Sequence, residues 1–103
     1  MNIKTNESVE RTTVIIDGTI TFKNSNELRV VLVDLSKKKI KEIYIDMKGV
    51  DYLDSSAIAT FIECLKITRA YGGALILSNL NETCRDIFMI ARLDKIFTFD
   101  NKL

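Results

Sequence analysis

The residues with the clearest chemical potential lie in the stretch DYLDSSAIATF, where two serines follow an aspartate. Aspartate and serine are preferred N-cap residues of helices. With Asp54 as the cap, Leu53 and Ile58 fall at the spacing of a hydrophobic staple. Ser55 and Ser56 then occupy the first helical turn without a structural duty. The plainer interpretation, in which the whole triplet serves only to cap the helix, stays open at this point.

The hydroxyl of Ser55 is well placed for phosphorylation. A phosphoserine adds about −1.5 to −2 charges, which the positive end of a helix dipole tolerates. At an effective dielectric near 20, two unit charges about 4 Å apart interact by about 4 kcal/mol. Since about 1.4 kcal/mol changes affinity tenfold, such a charge can eject a docked partner without unfolding the helix. The position predicts a switch.

Enzyme chemistry has little support in the sequence. The chain has no histidine, which removes the commonest general base, the usual zinc ligand and every Ser-His or Cys-His pair. It also lacks the GxGxxG and GxxxxGK[ST] phosphate loops. Asp46, Asp51 and Asp54 are an alternative, a divalent-metal cluster, but we expect them at a strand end, in a loop and at a cap respectively. We therefore predict no enzymatic activity, no metal and no cofactor.

Composition narrows the partners and the compartment. Fifteen basic and 14 acidic residues give a net charge of +1, so neither nucleic acid nor an anionic membrane is expected to bind. No apolar run reaches the ~18 residues of a membrane span, and the amino-terminal stretch does not resemble a signal peptide. Cys64 and Cys84 lie in apolar helical segments and are expected to be reduced core residues. These features predict a cytoplasmic protein.

The hydrophobic pattern alternates between strands and helices. Predicted strands cover residues 3–8, 12–17, 42–47, 74–78 and 96–99. Predicted helices cover 55–71 and 82–92, preceded by one that starts at a capping-box-like pair, Asn24 and Glu27. This order implies βαβ crossovers, and hence an α/β domain with a mixed, largely parallel sheet of four to five strands packed against three to four helices.

The segment IYIDMKGVDYLDSSAIATF resembles the signature of STAS domains, and among them the bacterial anti-sigma factor antagonists. Its strand ends in Asp46, its loop contains Val50, and its helix opens with Asp54, Ser55 and Ser56. The stretches DGTI, YGGALILSN and ARLDKIFTF also resemble the family. The resemblance implies one STAS domain over residues 1–103.

In such antagonists, the serine directly after the aspartate is phosphorylated by an anti-sigma factor that is also a protein kinase. The resemblance implies that Ser55 has this role and that the unphosphorylated chain binds the anti-sigma factor, which releases a sigma factor. It further implies that phosphorylation ends the binding and that a phosphoserine phosphatase restores it. The partner-binding residues that it implies are Asp46, Asp54, Ser55, Ser56, Ala57 and Thr21.

Two of these positions depart from the family pattern. Ala57 stands where the family often has glycine, and because alanine favours helix the turn should persist. Thr21 stands where the family often has an aspartate that helps to contact the kinase. An alternative function follows from the same resemblance, because STAS domains also act as non-phosphorylated scaffolds in signalling assemblies or as subunits of lipid-transport complexes.

Overall fold

The computed structural model describes residues 1–8 and 10–100, which form strands and helices in alternation. Their order is β1 (Asn2–Glu7), β2 (Arg11–Ile20), α1 (Ser25–Lys37), β3 (Glu42–Leu53), α2 (Ser55–Ala70), β4 (Ala74–Ser78), α3 (Glu82–Ile90) and β5 (Thr98–Asp100). The strands form one sheet in the order β1-β2-β3-β4-β5. β1 is antiparallel to β2 and the other neighbours are parallel. The predicted mixed α/β fold is confirmed, with five strands and three helices.

The helices cover one face of the sheet. Each helix connects two neighbouring parallel strands, and the right-handed sense of such crossovers places all three on the same side. Alternate residues of the central strands point toward the helices and are fully buried. These core residues include Val14, Ile16, Ile43, Ile45 and Leu77 from the sheet, with Leu28, Leu32, Phe61 and Phe88 from the helices. The result is a two-layer domain.

Strands β2 and β3 run further than their sequences predict. We expected them to end at Asp17 and Met47, but they continue to Ile20 and Leu53. Two register shifts each insert one additional residue into β3 relative to β2. Such bulges disrupt the alternation of inward and outward side chains. This disruption explains why the sequence of residues 48–52, KGVDY, predicts a loop.

The start of α1 also differs from its prediction. The side chain of Asn24 makes no capping hydrogen bond to this helix, so the expected capping box with Glu27 is wrong. Instead Asn24 Oδ1 accepts from the Thr21 amide at 2.9 Å and Nδ2 donates to the Thr19 carbonyl at 2.9 Å. Asn24 therefore stabilises the β2–α1 loop, residues 21–24, rather than the helix.

The last strand begins two residues later than predicted. The amides of Ile96 and Phe97 both donate to the Leu93 carbonyl, which holds these residues in a turn. Phe97 is nevertheless buried, because the turn directs its ring into the core. In the apolar run IFTF, Phe97 lies in the turn and is buried, Phe99 lies in the strand and is half-buried, and Ile96 is exposed.

Candidate functional site

The amino terminus of α2 is organised by Asp54. Its backbone is extended, with φ −107° and ψ −174°, and Oδ1 accepts from the Ser56 amide at 2.9 Å and from the Ala57 amide at 3.3 Å. These contacts satisfy amide groups that the helix itself leaves unpaired. The predicted N-cap is confirmed.

Asp54 also joins α2 to the β2–α1 loop. Its Oδ2 accepts from the Phe22 amide at 3.0 Å, and its own amide donates to the Ile20 carbonyl at 3.1 Å. One residue thereby fixes the end of β2 and the β2–α1 loop against the first turn of α2. Thr21, predicted from the resemblance, lies in this loop and is therefore adjacent to the Asp-Ser-Ser triplet.

The charge of Asp54 is stabilised by its surroundings. Partial burial alone would raise the pKa of Asp54, but hydrogen bonds from the Ser56 hydroxyl and from the amides of Phe22, Ala57 and Ser56 outweigh it. The pKa of Asp54 therefore lies below its ordinary value. At neutral pH the side chain is a carboxylate that accepts hydrogen bonds through both oxygens.

The two serines have different environments. Ser55 is exposed at the first position of α2, and its hydroxyl makes no hydrogen bond within the described residues. Ser56 is half-buried, and its hydroxyl donates to Asp54 Oδ1 at 2.5 Å while its carbonyl accepts from Thr60 Oγ1 at 3.0 Å. The expectation that neither serine has a structural duty is thus wrong for Ser56, whereas it holds for Ser55.

Ser55 lies on the rim of an open apolar groove between α2 and α3. The groove has a volume of about 450 Å³ and is lined by Tyr52, Leu53, Asp54, Ser55, Ile58, Ile87, Ile90 and Ala91. Ile90 is 83% exposed and Tyr52 is 48% exposed. These exposed apolar residues make the groove a candidate interaction surface. The sequence signal for it is the spacing of Ile87 and Ile90, which extends the apolar face of α3 beyond its buried residues.

A second exposed apolar residue is joined to the triplet through its backbone. Phe22 is 75% exposed, and its amide bonds directly to the Asp54 carboxylate. The sequence signal for this residue is a lone aromatic side chain within the polar stretch TFKN. Its backbone contact with Asp54 is a tertiary contact, which local patterns do not encode.

Two of the other predicted partner residues differ in accessibility. Thr21 is half-buried, and its hydroxyl accepts from the Lys23 amide at 3.3 Å. Ala57 is fully buried, because its position on the first turn faces the sheet. The prediction that Ala57 binds a partner is therefore wrong, since it has no surface to offer and serves in packing.

Asp46 lies away from the triplet. It pairs with Ile15 while Leu53 pairs with Ile20, so five positions of β2 separate them, or roughly 16 Å at about 3.3 Å per residue. The Asp46 carboxylate accepts from the Lys48 amide at 3.0 Å and from Asn79 Nδ2 at 3.2 Å. Its expected place at the end of a strand is wrong, because β3 continues beyond it.

The three-aspartate alternative does not form one site. Asp51 belongs to β3 rather than to the predicted loop, and Asp46 is far from Asp54. Across residues 1–8 and 10–100, no group of three or more thiol or carboxylate side chains is arranged to hold a metal ion. Within the same residues, none of the helices has the length and apolar character needed to cross a membrane.

The fold and the Asp-Ser-Ser helix start define the class. The family model described as STAS domain matches residues 1–103, and the chain belongs to the STAS domain family. The resemblance noted from the sequence is confirmed. A curated relative, the anti-sigma-B factor antagonist of Bacillus subtilis (strain 168), is 29% identical over 102 residues, covering 99% of this chain and 93% of the relative.

Solved structures of similar proteins have the same fold. An anti-sigma factor antagonist from Mycobacterium paratuberculosis matches with a TM-score of 0.89 at 16% identity, covering 99% of this chain and 86% of its own. The Bacillus cell fate determinant SpoIIAA in its phosphorylated form matches with a TM-score of 0.76 at 16% identity, covering 98% and 93%. At these identities the likeness establishes the architecture.

Proposed function

We propose that this chain is an anti-sigma factor antagonist that binds a kinase-type anti-sigma factor and is released by phosphorylation of Ser55. The observation that carries the proposal is the exposed Ser55 hydroxyl at the start of α2, which lines an apolar groove and makes no hydrogen bond within residues 1–8 and 10–100. The name of the Bacillus subtilis relative supports the first part. The phosphorylated form of SpoIIAA, a fold neighbour, supports the second.

The groove supplies the binding energy in this proposal. A partner that covers Tyr52, Ile58, Ile87 and Ile90 removes apolar surface from water, which stabilises a complex by about 25 cal/mol per Å². Ser55 in its unmodified form is small and neutral, so it fits within such an interface. Occupation of the anti-sigma factor in this way would release the sigma factor.

Phosphorylation would oppose this binding at the same place. Transfer of a phosphoryl group from ATP to Ser55 Oγ, with release of ADP, adds about −1.5 to −2 charges at the rim of the groove. A docked partner would have to desolvate that charge, which is costly unless the charge is paired. The neighbouring Asp54 carboxylate adds further negative charge. The helix dipole and the Asp54 cap keep the turn folded meanwhile.

The chain acts in this scheme as a binding protein and a kinase substrate. Both oxygens of Asp54 already accept hydrogen bonds from Ser56, Ala57 and Phe22, so the base for the Ser55 proton would come from the partner. Asp54 and Ser56 stabilise the first turn of α2. Thr21 lies at the edge of the surface that we propose binds the anti-sigma factor. Asp46 is not part of this binding surface, because it lies far from the Asp-Ser-Ser triplet.

The proposal also places the protein in the cytoplasm and includes removal of the phosphate from Ser55. Cys64 and Cys84 are both free and buried, which suits the reducing cytoplasm. A phosphoserine phosphatase would hydrolyse the Ser55 phosphate and return the chain to its binding form. Nucleic acid and membranes have no part in this cycle.

The test uses the kinase-type anti-sigma factor of the same organism, with ATP and magnesium. We expect intact-mass analysis to find one phosphate on the wild type and none on Ser55→Ala. In calorimetry, Ser55→Ala should bind the anti-sigma factor as the wild type does, while Ser55→Asp should bind it at least about tenfold more weakly. The melting temperature of Ser55→Asp should equal that of the wild type. Ser56→Ala is the matched control, because it should lose stability but still accept phosphate on Ser55.

Two results would contradict the proposal. If Ser55→Asp bound the anti-sigma factor with wild-type affinity, negative charge at residue 55 would not control binding. If the phosphate were found on another residue, Ser55 would not be the phosphorylation site. Stable assembly of the unmodified chain with a transport ATPase, or with itself into a large oligomer, would favour the scaffold or transport-subunit alternative.

A further inference from the structure

Phe22 is unusual among the phenylalanines of this protein. Its side chain is 75% exposed, whereas Phe61, Phe88 and Phe97 are buried and Phe99 is half-buried. Burial of a phenylalanine side chain stabilises a folded protein, and the fold leaves most of that contribution unused at residue 22. The side chain is therefore available to a partner.

The backbone that carries Phe22 is rigidly held. Four hydrogen bonds fix the β2–α1 loop: Phe22 N to Asp54 Oδ2 (3.0 Å), Lys23 N to Thr21 Oγ1 (3.3 Å), Thr21 N to Asn24 Oδ1 (2.9 Å) and Asn24 Nδ2 to Thr19 O (2.9 Å). An exposed aromatic side chain on a fixed backbone loses little conformational freedom on binding. Aromatic residues are also enriched at the centres of protein interfaces.

The charge of the loop indicates what the partner presents to it. The loop contains the exposed cation Lys23 and, across residues 21–24, no carboxylate. The nearest acid, Asp54, already accepts hydrogen bonds through both oxygens. The loop therefore offers an apolar side chain and positive charge, but no anion with which to pair a cation.

We infer that Phe22 is a specificity-determining residue that inserts into an apolar pocket of the anti-sigma factor, and that the rim of this pocket has no cationic group. The inference rests on the proposed function and extends it by naming the chemistry of the partner surface. The Phe22 amide donates to Asp54, the residue directly before Ser55, and the groove is lined by Ser55 itself.

The first experiment measures binding of the unphosphorylated protein to the kinase-type anti-sigma factor of the same organism by calorimetry. Phe22→Ala should weaken binding at least about tenfold, and Phe22→Leu should retain most of the affinity. The matched control is Ile96→Ala. Ile96 is 42% exposed and accepts a hydrogen bond from Arg69 in the last turn of α2, about 20 Å from Ser55 at about 1.5 Å per residue.

The second experiment tests the charge of the pocket. Thr21→Asp should leave binding unchanged or weaken it, because an added carboxylate would find no cation. A gain in affinity at low salt that disappears at high salt would reveal a cationic rim and overturn the inference. Wild-type affinity in Phe22→Ala would overturn it as well.

These results are separable from those on the switch. If Phe22→Ala fails to bind while Ser55→Asp binds normally, Phe22 keeps its role and only the phosphorylation proposal is lost. If Ser55→Asp fails to bind while Phe22→Ala binds normally, the phosphorylation proposal stands and the role of Phe22 is lost. Failure of the wild type to bind any kinase-type anti-sigma factor of its organism would overturn both.

Discussion

Asp54 combines two tasks that are often divided between residues. It caps α2 through Oδ1 and holds the β2–α1 loop through Oδ2. Ser56 assists by donating its hydroxyl to the same carboxylate. The Asp54 side chain therefore links the Phe22 backbone directly to the start of α2.

Replacement of Asp54 tests this dependence. Asp54→Ala should lower the free energy of unfolding by about 0.5 to 2 kcal/mol through loss of the cap, with a smaller loss for Asp54→Asn because asparagine also caps helices. Urea denaturation followed by circular dichroism measures the change. Asp51→Ala is the control, since Asp51 is exposed and surface substitutions usually change stability by less than about 0.5 kcal/mol. Equal stability of the Asp54 and Asp51 variants would contradict the assignment.

The charge of Asp54 also predicts a pH dependence. Its folded-state pKa is lowered, so its carboxylate contributes stability that is fully present above the unfolded pKa of about 3.9 and is lost as the pH falls through the folded value. The stability difference between wild type and Asp54→Asn should therefore be constant from pH 7 to about pH 5 and shrink below about pH 4. Urea midpoints at each pH measure it, and a constant difference down to about pH 2 would refute the prediction.

At this scale, local spacing predicts part of the site. The position of Asp54 before the apolar stripe indicates the cap, and the cap in turn leaves Ser55 exposed. The second contact of Asp54, with Phe22, joins residues 32 positions apart in sequence. Sequence patterns could not predict it, because it depends on how β2 and β3 pair.

At the scale of elements, the bulges in β3 determine where α2 begins. Two additional residues in β3 let this strand and β2 finish together, at Leu53 and Ile20. The loop that carries Phe22 consequently follows β2 beside the first turn of α2. Without the bulges, the register between the two strands would separate these features.

Gly49 tests the geometry of this region. A Cβ atom at residue 49 would lie 1.8 Å from Asp17 Oδ1 and 3.2 Å from Asp17 Cα. Gly49→Ala should therefore lower the free energy of unfolding by about 1 to 3 kcal/mol, as overpacking does. The double variant with Asp17→Ala should recover part of this loss, because only the backbone approach remains, while Asp17→Ala alone should be near neutral. An undiminished loss in the double variant would place the strain elsewhere.

The elements themselves were largely predictable, and the ends of β2, β3 and β5 were not. The apolar periodicity of α2 and the continuous apolar run of β4 define these two elements, whose predicted and observed ranges agree closely. Asn24 was misassigned because asparagine stabilises both helix starts and loops, and its neighbours Thr19 and Thr21 decide between the two. Tertiary partners of this kind lie outside any local pattern.

At the scale of the whole molecule, Phe88 connects the elements around the core. Its ring centroid lies 6.3 Å from that of Phe61, 5.3 Å from that of Phe97 and 5.6 Å from that of Phe99. Phe88 thereby joins α3 to α2 and to β5. Such edge and tilted contacts add to the effect of burial.

Loss of this ring should affect the entire domain. Phe88→Ala should reduce the free energy of unfolding by about 3 to 5 kcal/mol, because it removes buried surface and leaves a cavity. Met89→Ala is the control, since Met89 is 52% exposed and should change stability by less than about 1 kcal/mol. Urea denaturation followed by far-ultraviolet circular dichroism measures both. A loss below about 1 kcal/mol for Phe88→Ala would contradict the connecting role.

The largely parallel sheet packed against helices could be predicted because it follows from general rules of chain connection. Alternation of strands and helices implies parallel pairing, and right-handed crossovers limit the arrangement. The exposed groove between α2 and α3 could not be derived in this way. It depends on which apolar residues remain after the core is filled, as Ile90 does.

The capping carboxylate and the unbonded hydroxyl belong to two adjacent residues, Asp54 and Ser55. Mutational drift at residue 55 is therefore invisible to selection for folding alone, since an alanine or a threonine there would express and melt like its ancestor. Surveys of natural variants by yield or thermal tolerance would miss substitutions at this residue, and only assays of the partner complex would detect them.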